Sequence, residues 1–219
     1  MAIPFVKMAC IISIDGNIGS GKSTFVQTLK ERFADRGDVC FLQEPVQEWL
    51  SIQDNAGMNI LEHYYRDQRQ YAFQFQMMAY ISRLSILKRA VENPQYKYII
   101  TERCLFTDKN VFCKMLYDDG MIDSIGYQIY NKWFIEFQEM SLPYHYVYLR
   151  TDPEVSKARV DLRARAEETI PIDYLKKCHQ YHDVWLTAID GVHIIDANQD
   201  LRENPDIDSW VAMVKTLIE

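Results

Sequence analysis

The chain is short of three things that would send its reading elsewhere: a surplus of basic residues, a long apolar run, and cysteines in metal or redox spacing. Its 24 Lys and Arg stand against 31 Asp and Glu, a formal charge of −7, with an isoelectric point near 5.3. That balance excludes a broad nucleic-acid surface, so phosphate has to be handled by local basic clusters. No apolar run approaches the roughly 20 residues that cross a bilayer, and no membrane partner is expected. The start, MAIPFVKM, lacks both the apolar segment of a signal peptide and the arginine-rich pattern of a transit peptide. Cys10, Cys40, Cys104, Cys113 and Cys178 show no CxxC or zinc spacing. Such a scattered, odd set fits reduced thiols, and a cytoplasmic location is expected. Internal repeats, low-complexity tracts and linkers are missing too. With 48% hydrophobic residues over 219 positions, one substantial core can form, and a single domain over 1–219 is the simplest organisation.

What is present is alternation. Short apolar runs at 9–14, 39–43, 96–101, 144–149 and 192–196 read as strands. Helical patterns lie between them near 22–36, 59–92, 105–117, 122–140, 153–166, 171–189 and 206–218. Gly37 reads as a C′ stop after the first helix, and Pro153 and Pro171 suit first turns. This order predicts an α/β fold with a five-stranded parallel sheet flanked by helices on both faces. In such sheets chemistry gathers at the carboxyl ends of the strands. Attention therefore falls on Gly16–Ser23, Glu44, Glu102-Arg103, and Asp196 with its following loop.

The run GNIGSGKS at 16–23 fits G-x-x-x-x-G-K-[ST], which wraps backbone N–H groups around phosphates. Gly16, Gly19 and Gly21 permit positive φ and close approach to an anion. Lys22 brings a point charge to the β- and γ-phosphates, and the Ser23 hydroxyl suits Mg²⁺. The helix beginning near Lys22 adds its positive dipole end. The whole segment Gly16, Asn17, Ile18, Gly19, Ser20, Gly21, Lys22, Ser23, Thr24 is thus a triphosphate site; the plain alternative is a glycine-rich strand-to-helix turn.

Four further features carry possible chemistry. Glu44, in Gln43-Glu44-Pro45-Val46, ends the second strand and is placed to orient an attacking hydroxyl and accept its proton, or only to cap the next helix. Glu102-Arg103 closes the third strand. Arg103 could hold the attacking oxygen or the phosphoryl group and Glu102 could reach Mg²⁺, or the two could simply be salt-bridged. Arg159, Arg163 and Arg165 in RVDLRARAEE are a solvated helix face if read alone, and a phosphate-clamping lid over about 159–170 beside such a loop. The aromatic stretch 61–83 reads as core, except that Gln76 could hydrogen-bond the edge of a base while rings stack on it.

These residues together make the chain similar to the deoxyribonucleoside kinases, in the branch of deoxycytidine, deoxyguanosine and deoxyadenosine kinases. The resemblance runs almost end to end: IDGNIGSGKSTF, EPVQEW at 44–49, FQ…SR ending at Arg83, TER with the downstream Asp108, VFCKMLYDDG at 111–120, and RARAEE…IP…YL at 163–175. It implies a P-loop kinase fold with an arginine-rich lid and transfer of the γ-phosphoryl group of ATP, with Mg²⁺, to a deoxynucleoside 5′-OH. It implies Glu44 as base with Arg103 beside it, Ser23 and Glu102 as metal residues, and Lys22, Arg159, Arg163 and Arg165 on the phosphates. Tyr65 and Glu168 would hold the 3′-OH. Gln76 would read the base among Trp49, Leu61, Phe75 and Phe112, and the loop after Asp196 would approach the adenine. An Arg–Asp pair at Arg83 and Asp108, with Ala79 tuning the same corner, marks the branch that favours deoxycytidine or purine deoxynucleosides over thymidine. A homodimer through the helices near 59–92 and 122–140 is implied as well. Two departures stand out: Cys104 replaces a usual Ser, and Glu168 to Tyr174 is one residue shorter than in the vertebrate enzymes. The rival readings are a thymidylate-type monophosphate kinase and a catalytically silent nucleotide-binding subunit. The first would usually show Asp-Arg after the third strand; the second would lose Lys22, Ser23, Glu44 or Arg103, all present here.

Overall fold

The computed structural model describes residues 9–137, 142–163, 170–200 and 207–219. Five parallel strands form one sheet in the order β2-β3-β1-β4-β5: β1 Cys10–Asp15, β2 Val39–Leu42, β3 Tyr98–Glu102, β4 Tyr144–Arg150 and β5 His193–Asp196. Strands covered on both faces need apolar residues on successive positions rather than alternating ones. Strand β1 shows why: Ile11 joins the core that holds Tyr64, Ala72, Tyr80 and Tyr130. Its neighbours Ile12 and Ile14 join the opposite core with Phe25, Leu29, Trp210 and Val214. Helices therefore cover both faces, as the alternation predicts.

The helices are α1 Lys22–Arg32, α2 Val46–Ser51, α3 Ile60–Arg66, α4 Gln68–Val91, α5 Leu105–Thr107, α6 Lys114–Asp118, α7 Ser124–Phe137, α8 Pro153–Arg163, α9 Ile172–Leu186 and α10 Ile207–Leu217. A π-helical turn over Asp108–Cys113 joins α5 to α6. Three expectations need correction. The pattern at 59–92 is two helices, because Asp67 ends α3 and its side chain accepts from the Gln70 N–H to start α4. Helix α1 ends at Arg32 with Phe33 as its C-cap, so Gly37 lies beyond it in the turn into β2 and is no stop. Pro171 is the N-cap of α9, just outside its first turn, whereas Pro153 does open α8.

Candidate active site

Strand β1 delivers the chain into the phosphate loop. Gly16, Gly19 and Gly21 all have positive φ. A Cβ on Gly16 would stand 2.6 Å from the Leu149 carbonyl oxygen, and one on Gly19 would stand 2.5 Å from that of Ser156. Only glycine fits either place. Gly21 caps α1 without a side-chain hydrogen bond, which leaves the first-turn N–H groups for an anion. Asn17 and Ser20 are buried; Asn17 Nδ2 donates to the Leu175 carbonyl at 2.9 Å and ties the loop to α9. Lys22 Nζ folds back onto the Asn17 carbonyl at 2.6 Å. Burial, with the Arg103 charge nearby, lowers the Lys22 ammonium to about 7. The Ser23 hydroxyl donates to Glu102 Oε1 at 2.7 Å, so an oxygen pair suited to a hard cation sits at the loop.

Beside the loop lies a buried cluster of carboxylates and guanidiniums. Arg103 Nη1 and Arg83 Nη2 both donate to Glu44 Oε1, at 2.5 and 3.0 Å, and no described residue donates to Glu44 Oε2. Arg83 also donates to Asp108 Oδ2 at 2.9 Å and to the Glu102 carbonyl at 2.7 Å. Burial alone would push Glu44 up, but Arg103, Arg83 and Lys22 outweigh it and hold the carboxyl at about 2. Arg83 stays firmly protonated: burial opposes its charge, and Asp108 and Glu44 overcome that. Arg103 has φ of 60°, a left-handed backbone that costs a side-chain-bearing residue about 1–3 kcal/mol. Its N–H donates to the Ile14 carbonyl at 3.0 Å, and its guanidinium lies 5.0 Å from the centre of the Phe112 ring.

Cluster and loop line one cavity of about 670 Å³. Its far end is formed by Trp49, Leu61, Tyr65, Phe75, Gln76, Ala79 and Phe112. Trp49 and Phe75 meet edge to face at 5.4 Å, and Trp49 Nε1 donates to Ser82 Oγ at 2.9 Å, which fixes the indole. Gln76 is 2% exposed and its Oε1 has no partner. A buried carbonyl oxygen left so is costly unless a ligand supplies the donor.

Arg159 and Arg163 on α8 line the same cavity. Arg159 donates to the carbonyls of Ala197, Asn198 and Gln199 at 2.9, 3.0 and 2.7 Å, so it brackets α8 to the loop after β5. Asp196 lies off the cavity and receives the Asn198 N–H at 3.1 Å. Arg165, Glu167 and Glu168 lie outside the described residues. The remaining lining groups Gln43, Val46, Gln47, Tyr64, Leu162, Tyr174 and Asp200 were not singled out individually as binding residues. For Tyr64 and Tyr174 a signal existed, since one sits in the aromatic stretch and the other in the IP…YL motif. The 2.8 Å contact between their hydroxyls spans 110 positions and had no local sign.

A family model described as deoxynucleoside kinase matches residues 12–219. A Fowlpox virus (strain NVSL) protein named a probable deoxycytidine kinase is 38% identical over 80% of this chain and 71% of its own length. The deoxycytidine kinase of Mus musculus is 30% identical over 94% of this chain and 90% of its own. The mitochondrial deoxyguanosine kinase of Xenopus laevis is 30% identical over 80% and 72%. With a P-loop at the end of β1, a Glu-Arg pair at the end of β3 and a family match over nearly its full length, the chain belongs to the deoxynucleoside kinase family.

Proposed function

We propose that the chain acts as one domain that transfers the γ-phosphoryl group of ATP to the 5′-OH of a deoxynucleoside, favouring deoxycytidine or a purine deoxynucleoside over thymidine. The observation that carries this is the acceptor end of the cavity. Arg83 and Arg103 there are already bonded to carboxylates, and an orphaned amide oxygen on Gln76 waits among aromatic rings. That suits an uncharged nucleoside with a base edge better than an acceptor phosphate, against the monophosphate-kinase reading. The Arg83–Asp108 pair fills the corner beside Ala79 and presents polar groups to a base, in keeping with relatives named for deoxycytidine and deoxyguanosine. A coupled assay over the four deoxynucleosides, cytidine, dCMP and dTMP tests it: kcat/KM is expected to be highest for deoxycytidine, deoxyadenosine or deoxyguanosine. Highest turnover with thymidine overturns the preference, and highest turnover with a monophosphate overturns the acceptor class.

In this reading Glu44 Oε2 takes the 5′-hydroxyl hydrogen bond while Arg83 and Arg103 hold Oε1. The bond from O5′ to the γ-phosphorus forms as the bond from that phosphorus to the β–γ bridging oxygen breaks. The proton passes to Glu44 and ADP leaves. A carboxyl at about 2 is a weak base, which suffices because a loose phosphoryl-transfer transition state sheds the hydroxyl proton late. Positioning and charge neutralisation by Lys22 and the loop N–H groups supply most of the rate. Ser23 and Glu102, whose oxygens meet at 2.7 Å, would hold Mg²⁺, a hard cation that takes oxygen ligands. Bound there, the ion neutralises charge developing on the phosphates. Arg163, with Arg165 beyond the described residues, completes the lid, and Tyr65 holds the sugar 3′-OH together with Glu168, also beyond the described residues.

Lys22 gives a pH dependence. A triphosphate restores the ammonium that burial depresses, so binding at pH 8 takes up close to one proton, and ATP affinity weakens as pH rises above about 7. Calorimetry in buffers of different ionisation enthalpy measures that uptake; none at pH 8 removes Lys22 from the role. Helix α7 exposes Ile125, Ile129, Trp133 and Phe137 at four-residue spacing, a stripe that fits a second copy of the chain. Trp133→Glu is expected to give monomers where the parent sediments as a dimer; a parent that sediments as a monomer overturns the homodimer, and a variant that stays dimeric takes the interface off α7.

A further inference from the structure

Two buried side chains that take no part in the proposed chemistry converge behind Arg103. Asp15, the last residue of β1, is fully buried, and no Lys or Arg among the described residues bonds to it. Its Oδ2 accepts from the Ser13 hydroxyl at 2.6 Å, and its Oδ1 accepts from the Thr107 hydroxyl. Thr107, also fully buried, uses the same Oγ1 to accept the Cys104 N–H at 3.1 Å. Cys104 directly follows Arg103, the only non-glycine residue with positive φ among the described residues. The N–H groups on both sides of the strained Arg103 Cα are therefore anchored to the end of β1. Arg103 itself donates to the Ile14 carbonyl, and Cys104 is held through Thr107 by the Asp15 carboxylate.

A residue in a sparsely populated backbone region persists only when its surroundings over-determine it. Here a one-sided anchor would leave the Cys104 peptide free to rotate. Arg103 could then relax toward an ordinary conformation and carry its guanidinium off Glu44 and off the Gly16 carbonyl, to which its Nη2 donates at 3.4 Å. Asp15 acts through distance and direction: its Oδ2 takes the Ser13 hydroxyl and its Oδ1 the Thr107 hydroxyl, so its own side chain is fixed and with it the direction of the bond from Thr107. A water-exposed hydroxyl would give no such fixed direction; both partners are sealed in.

We propose that Thr107, backed by Asp15, is the positioning residue for Arg103: its hydroxyl relays a fixed hydrogen bond from the end of β1 to the peptide after Arg103 and so sets the guanidinium for transfer. The inference rests on the proposed role of Arg103 and deepens it.

Kinetics of the full-length chain test it. Thr107→Val, nearly isosteric but without the hydroxyl, is expected to lower kcat by 10- to 100-fold. The dissociation constants for ATP and for the nucleoside should stay within threefold, and Thr107→Ser should restore kcat to within twofold. In an Arg103→Lys background the further loss from Thr107→Val should shrink to less than threefold, because the group being positioned is gone. A kcat for Thr107→Val within twofold of the parent, or a Thr107→Ser variant as impaired as the Val variant, overturns the inference. If Arg103→Lys alone leaves kcat unchanged, the reading of Arg103 fails first, which separates the two failures. Should the Val variant not fold, Thr107→Ala, smaller and also without the hydroxyl, is read in its place: a loss of kcat beyond twofold with both dissociation constants within threefold supports the relay, and a kcat within twofold of the parent overturns it.

Discussion

Replacing Glu44 with Gln is expected to lower kcat by about 10²–10⁴-fold while ATP binding survives nearly intact. The change is isosteric, and the amide oxygen can still receive Arg83 and Arg103, whose bonds to Oε1 are 3.0 and 2.5 Å. What goes is the second carboxylate oxygen, the proposed acceptor for the 5′-hydroxyl proton, together with the charge that balances two guanidiniums. The triphosphate end loses less, since it is built from glycine N–H groups, the start of α1, Lys22 and Ser23. Glu44 is held at about 2, so it is ionised throughout the working range, and the parent should show no acid limb from this group between pH 5 and 8. Steady-state kcat and a separate ATP titration check both halves. A kcat within threefold of the parent, with folding intact, takes Glu44 out of the base role.

The parts of this site that were legible in the sequence are those whose chemistry is written in consecutive residues or at the end of a strand. The loop at 16–23 could be read because glycine spacing, Lys22 and Ser23 are local, and the Ile-rich run before it announces a buried parallel strand. Glu44 and Glu102-Arg103 could be read because a doubly wound sheet puts strand ends on one side. What stayed hidden depends on distance through space or on backbone angles. Nothing local marks the left-handed Arg103, and its support comes from Ile14 and from Asp15 through Thr107, residues about 90 positions away on another strand. The π-helical turn is equally silent: 105–117 carries an ordinary helical pattern, yet Asp108 and Phe112 lie in that turn and both line the cavity. Arg159 was read as a lid cation from the phosphate loop beside it and the family resemblance, whereas three carbonyls of the loop after β5 also receive its guanidinium.

The largest expected loss of stability follows removal of Arg83. In the parent, Asp108 accepts one side-chain hydrogen bond among the described residues, from Arg83 Nε, and its side chain is about 3% exposed. Arg83→Met leaves that carboxylate buried without its partner, and breaking a buried pair in this way costs about 3–5 kcal/mol. The sign of the pH dependence follows from the same group. Burial already pushes Asp108 above the ordinary carboxylate range, with Arg83 pulling it back. Without Arg83 the folded-state value rises further above the unfolded one, so the folded variant binds a proton that the unfolded chain has released. Its stability is then greatest at low pH and is lost as pH climbs through the unfolded and then the folded value. The deficit of Arg83→Met against the parent, read by urea unfolding, should be several kcal/mol at pH 7 and distinctly smaller at pH 5. Pairing it with Asp108→Asn, a neutral side chain of nearly equal volume, should recover most of the loss at pH 7. What stays unrecovered is the orphaned Glu102 carbonyl, about 1 kcal/mol, and the bond that Arg83 gives Glu44 Oε1. A deficit that is the same at both pH values, or a double variant no more stable than the single one, would mean that Asp108 does not depend on Arg83 for its burial.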